Sequence, residues 1–411
     1  EGGIIMLGSF RRRGCTCKKK RCTCGAKWTY RYHIIDPVTG KRKQKETRGF
    51  ETKAEAEAEA KRILAEIEKG IYVDEKNITF AEFVPEFLKL YETSGKVKPG
   101  SVRVRKRCCN NLQNHFQNIK MKDITKKMYQ DVLIELGGKY SKETITSIHA
   151  TGRMLFQKAH DLGIIKLNPT VGAEIPRKQQ TVEEIESVEQ LPEFMEKDEL
   201  AKFLNITSDH GLDFQDYPIF VTLAYTGIRV GELCALKWSD LDKEEKTLSI
   251  TKTLDNAKNN TRGYRLVPPK TRSSIRTVEI SDTVLLALED QRKNQNLVKM
   301  KHRDTYHDAD FIFTKNNDRY GYYGYPFMQK DIGSRMKRLL KIAGLNTTLS
   351  PHSLRHTHTS LLAAARVSLE TIQDRLGHKN DDMTRSVYMH VTKELKREAS
   401  QKFEELMGGL K

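Results

Sequence analysis

Residues Ser350–His390 read SPHSLRHTHTSLLAAARVSLETIQDRLGHKNDDMTRSVYMH, and this stretch decides how the rest of the chain is understood. Ser350 followed by Pro351 starts a helix, because a hydroxyl can cap the first turn and proline at the first helical position forfeits no hydrogen bond. His352 and Arg355 stand three apart and so share a face, whereas Leu354, Leu361 and Leu362 lie on another face and can enter a core. Ser368 and Gly377 bracket a second helix, roughly Leu369–Leu376, as its cap and its stop. His378 follows that stop directly, and after a polar turn Thr384–His390 carries Tyr388. Two histidines, an arginine and a tyrosine can therefore turn toward one point.

A second polar box stands well upstream, where Tyr225–Leu233 reads YTGIRVGEL. The segments HSLRHTHTS, LGH and TRSVYMH, with Tyr388 ten residues after His378, form one half of a pattern, and TG-x-R-x-x-E around Arg229 forms the other. Together they resemble the catalytic signature of tyrosine recombinases, nearest to the integrases of temperate phages and conjugative transposons. The resemblance covers roughly residues 25–395. It implies that Tyr388 is the nucleophile, that Arg229 and Arg355 grip a scissile phosphate, and that His378 donates a hydrogen bond to it. His352 would either accept the tyrosine proton or hold the phosphate. The family's product is a 3′-phosphotyrosine with a free 5′-hydroxyl, made with neither ATP nor a divalent metal.

Those residue types suit that chemistry. A tyrosine hydroxyl has a pKa near 10 and is a poor nucleophile unless its proton can leave and its target is electrophilic. Two guanidiniums can neutralise a phosphate and stabilise its five-coordinate transition state. An imidazole can take a proton near neutral pH. His352 and His356 could suggest a metal pair by their spacing, but no H-E-x-x-H glutamate accompanies them. His356, His358 and His390 read as structural or supporting groups, and Glu232 as a buttress for Arg229.

Composition agrees with a polyanionic partner. The chain has 411 residues, which suits two or three domains rather than one core. Its formal net charge is +18, which favours nucleic acid before membrane. No run of eighteen apolar residues exists to span a bilayer. The opening EGGIIML is too short for a signal peptide, and Met6 reads as a natural start. A bacterial cytoplasmic protein, nucleoid-associated when bound to DNA, is expected.

The expected class is a multidomain chain, mainly α with small β-sheets. Residues 1–70 would hold a three-stranded sheet plus a helix. Trp28–Ile35 reads as a strand, Asp36–Gly40 as a turn and Lys41–Phe50 as a further strand with a basic face, and Thr52–Glu55 caps the helix. This resembles the arm-type DNA-binding domain of integrases, in which the sheet enters a major groove. Arg31, Lys41, Arg42, Lys43 and Lys45 are the candidate readers. Ahead of that sheet, RRRGCTCKKKRCTCG carries Cys15, Cys17, Cys22 and Cys24. Two C-x-C pairs could close a structural zinc site, or they could be four ordinary thiols on a basic arm.

Residues 78–175 read as a helical-bundle core-binding domain. Thr79 and Glu82 form a capping box, and Phe80, Phe83, Val84, Phe87, Leu88 and Tyr91 make one apolar helical face. Helices near 100–116, 126–136 and 142–163 follow, punctuated by Gly137-Gly138. Arg103, Arg105, Lys106 and Arg107 are candidate phosphate contacts, and Cys108 and Cys109 read as packed. Residues 176–193 read as an interdomain linker, and 194–395 as an α+β catalytic domain. Its strands are expected at Thr247–Leu254, Tyr264–Val267 and Ile275–Ile280. The loop between the last two carries Lys270, which by the resemblance protonates the leaving 5′-oxygen; Lys252 and Arg272 are the alternatives. Residues 396–411 read as a short separate tail helix, docking on a neighbouring protomer by the resemblance or folding back in cis.

The function so implied is integration and excision of a mobile element through a Holliday junction. Core and arm sites on double-stranded DNA, a homotetramer, an excisionase and a host DNA-bending protein are its implied partners. Chromosome- or plasmid-dimer resolution of the Xer type, a type IB topoisomerase and a catalytically silent DNA-binding regulator are the alternatives. The arm-like N-terminal domain argues against the first of these.

Overall fold

The computed structural model describes residues 8–15, 17, 25–35, 42–68, 77–93, 97–176, 193–256, 260–269, 272–316, 320–377 and 382–408. It divides into two compact units, Glu1–Lys178 and Gln179–Lys411. The expected linker falls almost wholly outside the described residues.

The first unit opens with an antiparallel sheet in the order β1 (Ser9–Arg12), β2 (Trp28–Ile35), β3 (Arg42–Glu46). Side chains alternate between the faces of a strand, so Tyr30, Tyr32 and Ile34 fall on one side. There, with Phe10, they meet Ala60, Ile63, Leu64 and Ile67 of helix α1 (Lys53–Glu68) in a small apolar cluster. The register pairs Tyr32 with Lys45, Ile34 with Lys43, Ile35 with Arg42 and Arg31 with Glu46. Directly opposed residues share a face. The basic residues expected on one face are therefore divided: Lys43 and Lys45 lie on the tyrosine side, Arg31 and Arg42 on the open side. Period-two alternation forbids Arg42, Lys43 and Lys45, so close on one strand, from all sharing a face.

A second core in this unit is built by α2 (Phe80–Thr93), α3 (Pro99–Phe116), α4 (Lys126–Lys139) and α5 (Lys142–Asp161). Thr79 and Glu82 form the expected reciprocal cap, with the Thr79 N–H donating to Glu82 Oε2 at 2.8 Å. Phe80, Phe83, Phe87, Phe116, Tyr129 and Phe156 fill the interior. Gly137-Gly138 does not end α4, which continues to Lys139, because Leu136 is buried and holds that last turn against the core. Cys108 and Cys109 are buried in the same core, and burial pushes the Cys109 thiol up to about 12, so both pack.

The second unit holds α6 (Lys197–Asp209), α7 (Asp216–Thr226), the one-turn α8 (Val230–Leu233), α9 (Asp282–Lys301), α10 (Gln329–Ala343), α11 (Pro351–Ala364), α12 (Leu369–Leu376) and α13 (Asp382–Gly408). Phe203, Phe220, Leu248, Val278, Leu288, Met336, Leu339 and Leu354 bring seven of its elements into one core. The expected strand over 247–254 breaks at Thr251-Lys252 into β5 (Thr247–Ile250) and β6 (Thr253–Asp255). In a straight strand Lys252 would share the buried face of Leu248, Ile250 and Leu254. The break frees its ammonium to pair with Asp240. Two sheets result: β4 (Leu241–Asp242), β5 and β8 (Arg276–Glu279), and a hairpin of β6 with β7 (Arg265–Val267).

The tail expected as a separate short helix is continuous with the one bearing Tyr388. Neither proline nor glycine interrupts His390–Met407, so nothing stops α13 before Gly408. Among the described residues no helix is long and apolar enough to cross a membrane.

Candidate active site

Arg229 owes its place to the residues just before it. Helix α7 ends in a left-handed cap at Gly227, φ +64°, and the chain turns into α8 with Arg229 as its N-cap. A Cβ on Gly227 would lie 2.6 Å from His358 Cδ2 and 2.7 Å from Leu376 Cδ2. Both the backbone conformation and the space therefore demand glycine. Gly227→Ala is expected to lower the unfolding free energy by roughly 2–4 kcal/mol, measured by urea titration.

Glu232 lies one turn further on and is nearly sealed from solvent. Its carboxylate accepts from the Arg229 N–H at 3.0 Å and from Arg229 Nη1 at 2.7 Å. A second guanidinium, Arg276, donates to Oε2 at 3.0 Å. Burial would raise the carboxyl's pKa, but Arg276 first and then Arg229 hold it below the ordinary value. Glu232 is thus the expected buttress, with a partner that the sequence did not reveal.

Arg355 comes from the middle of α11 and is 3% exposed. Its Nη1 donates to the Gly227 carbonyl at 2.6 Å and its Nη2 to the Leu376 carbonyl at 2.8 Å. One side chain so ties the α7 end that precedes Arg229 to the α12 end that precedes His378. His352, three residues earlier, is exposed, and its ring meets that of buried His356 edge-on at 4.8 Å.

His358 is buried and acts as a bridge. Nδ1 lies 2.9 Å from the Ala224 carbonyl, and Arg375 Nε donates to Nε2 at 3.2 Å. A ring accepting at Nε2 carries its proton on Nδ1, so this histidine is neutral. Burial first, then the charge of Arg375, lowers its pKa to about 4 from 6.5. The unfolded chain takes that proton as pH falls below about 6.5 and the folded chain only near 4, so stability is full above 6.5 and lost below it. The loss should approach about 3 kcal/mol by pH 4, and His358→Asn should remove that part of the slope in denaturation curves run between pH 7 and 4. Arg375, also missed in the sequence, donates to the carbonyls of Glu279 and Tyr225 as well.

Tyr388 sits on α13, half-buried against Ala363, Ile372, Leu376 and Val391. Leu376 therefore serves twice: its carbonyl anchors Arg355 and its side chain belongs to the apolar cluster that seats Tyr388. Val387, fully buried, fixes the rotation of α13.

His378 and Lys270 lie outside the described residues. Their flanks are joined: Ser274 Oγ donates to the Gly377 carbonyl at 3.4 Å, and Arg276 Nε to the Arg375 carbonyl at 2.8 Å. Of the alternatives to Lys270, Lys252 is held by Asp240 and Arg272 opens a single helical turn, Arg272–Ser274.

On the N-terminal sheet's open face, Glu46 is clasped bidentately by Arg11 and accepts from Thr29 Oγ1, with Arg31 Nη2 at 3.9 Å. The Arg11 hydrogen bonds hold its carboxyl down at about 2. Arg11 is a further cation of that face which alternation in SFRR could have indicated. Lys41 lies outside the described residues. In the helical bundle Arg103, Lys106 and Arg107 are exposed, whereas Arg105 turns inward and donates to Thr151 Oγ1 at 2.9 Å. Cys15 and Cys17 bring their sulfurs to 3.3 Å, while Cys22 and Cys24 lie outside the described residues. Among the described residues no three His, Cys, Asp or Glu side chains are grouped to hold a metal.

Comparison with known proteins gives concordant matches. The Phage integrase family model matches residues 193–394, the Arm DNA-binding domain model residues 18–67, and the model of the Phage integrase, N-terminal SAM-like domain residues 79–136. The prophage ps2 probable integrase of Lactococcus lactis is 29% identical over 382 residues, 90% of this chain and 95% of its own. The Tn1549 transposon integrase, in complex with transposon right end DNA, superposes with a TM-score of 0.60 at 23% identity, covering 79% of this chain and 99% of that one. A lambda integrase tetramer bound to a Holliday junction gives 0.54 at 18% identity, covering 88% and 92%.

Proposed function

Because the chain belongs to the Phage integrase family of tyrosine recombinases, we propose that it is the integrase of a prophage or conjugative transposon. It cuts, exchanges and rejoins DNA strands at specific sites. Tyr388 Oη attacks the scissile phosphorus, forming a tyrosyl–phosphate ester as the bond to the 5′-oxygen breaks. Arg229 and Arg355 hold the non-bridging oxygens and take up the charge that builds on them. His352 receives the tyrosine proton or steadies the phosphate, His378 adds a hydrogen bond, and Lys270 delivers a proton to the departing 5′-oxygen. One phosphodiester is exchanged for another, so the step is near energy-neutral and reverses when a new 5′-hydroxyl attacks. Two such rounds pass through a Holliday junction.

The observation that carries this reading is the Arg355 guanidinium, buried between the Gly227 and Leu376 carbonyls. It draws the segments leading to Arg229 and to His378 onto one helix, whose neighbour bears Tyr388. Buried charge placed this way is costly unless it is used or well paired. The test is recombination in vitro between plasmids carrying the element's joined ends and its target. Crossover products of defined junction sequence, made without ATP, are expected. Relaxation of any supercoiled plasmid irrespective of sequence, with no crossover, would replace the reading by a topoisomerase.

The partners follow from the same reading. A homotetramer forms on two duplexes with the tail, residues 396–411, docking on a neighbouring protomer, the N-terminal sheet reads arm sites, and an excisionase and a host DNA-bending protein set direction. The protein works in the bacterial cytoplasm, on the nucleoid. Cys15 and Cys17, with Cys22 and Cys24 from the same Cys-rich stretch of sequence, bind a structural zinc. Elemental analysis should then give one zinc per chain, lost in Cys17→Ser; metal-free protein of unchanged DNA affinity would exclude it.

A further inference from the structure

We propose that Arg276 is a positioning residue that keeps the charge of Arg229 available to a phosphate, by occupying the second oxygen of the carboxylate they share. The inference rests on the reading of Arg229 as a phosphate clamp.

Arg276 projects from β8 and its side chain is 6% exposed. All three kinds of N–H on its guanidinium are used inside the protein. Nη2 donates to Glu232 at 3.0 Å, Nε to the Arg375 carbonyl at 2.8 Å and Nη1 to the Ser274 carbonyl at 3.1 Å. It passes directly over Gly377, where an added Cβ would stand 3.1 Å from Arg276 Cδ. So buried and so bonded, it does not itself meet substrate.

Its effect is electrostatic. Glu232 stays ionised, and alone with Arg229 it would make a contact pair of zero net charge, 2.7 Å apart. A phosphodiester reaching that pair would find a cation already neutralised. Two guanidiniums around one carboxylate leave a net charge of one. The Arg229 side chain is 30% exposed against 6% for Arg276, so the excess faces outward at Arg229. The same contacts fix β8 against the residues leading to His378 and the turn that follows Lys270.

The test is a double-mutant cycle on Glu232 and Arg276, read as single-turnover cleavage of a nicked core-site duplex at saturating protein, with Arg229→Gln and thermal melts alongside. Arg276→Gln should slow cleavage about 100-fold, and Arg276→Lys, which keeps the charge, by no more than about tenfold. In a Glu232→Gln background Arg276→Gln should change the rate less than about threefold, since no carboxylate remains to be shared. A purely structural tie predicts the opposite: Arg276→Lys as slow as Arg276→Gln, and a further loss in the Glu232→Gln background. If Arg276→Gln does not fold, the Lys variant and the Glu232→Gln pair decide alone. A wild type that cleaves, with Arg276→Gln equally fast, overturns this inference only. A wild type that binds the duplex and never cleaves overturns the recombinase reading and this inference with it.

Discussion

Tyr388→Phe removes one oxygen atom, and covalent capture of DNA should fall by about 10⁵-fold or more, because no other side chain can replace the nucleophile. DNA affinity and stability should hardly change. The ring keeps its packing against Ala363, Ile372, Leu376 and Val391, and substitutions that preserve packing usually stay within about 1 kcal/mol. A gel-shift titration and a thermal melt, run beside the cleavage assay, separate these quantities. Loss of cleavage together with loss of binding or fold would mean that Tyr388 acts through structure and not through its hydroxyl.

Arg355→Gln should do both kinds of damage. Its guanidinium gives charged hydrogen bonds to two buried carbonyls, Gly227 and Leu376. Removing a charged donor from a buried acceptor costs about 1.5–3 kcal/mol each, so unfolding should become easier by roughly 3–6 kcal/mol. Cleavage should fall by about 10³-fold or more, since charge developing on the phosphate loses a preorganised partner. Arg355→Lys should not restore it: an ammonium cannot reach both carbonyls in the planar fork and still face a phosphate. Urea titrations and single-turnover rates on the same three proteins check both arms. A full-strength Lys variant would show that the fork geometry is dispensable.

The elements read most directly from the sequence carry local signals. Ser350-Pro351, Ser368 and Gly377 mark helix ends through capping chemistry, and the structure places α11 and α12 where those marks fall. Thr79 and Glu82 worked for the same reason. The two polar boxes stand out because histidine, arginine and tyrosine recur at helix-compatible spacings within short stretches, and their catalytic reading comes from the resemblance to tyrosine recombinases. Arg276 and Arg375 do not stand out, because their decisive partners lie far away in sequence, the Glu232 carboxylate and the Arg375 carbonyl for the first and the Tyr225 and Glu279 carbonyls for the second, and a lone arginine in a strand or helix carries no spacing. The two faces of the N-terminal sheet were conflated because the basic composition of Arg42–Lys45 outweighed the alternation it contains. The strand break at Lys252 depended on a salt bridge with Asp240, a tertiary contact that overrides β propensity. The continuous α13 follows from the absence of a breaker between His390 and Met407, whereas the expected separate tail rests on the change of composition after residue 394.

If Tyr388 joins the protein to DNA as proposed, the most direct measurement is the identity of the covalently modified residue. A nicked duplex carrying the core site from the element's own ends lets the short 5′-hydroxyl fragment diffuse away and traps the adduct. Digestion and mass spectrometry of the trapped complex should find a nucleotide 3′-phosphate on the peptide containing Tyr388, and no adduct in Tyr388→Phe. An adduct on any other residue, or on Tyr388 through a 5′-phosphate, would contradict the proposed role of Tyr388.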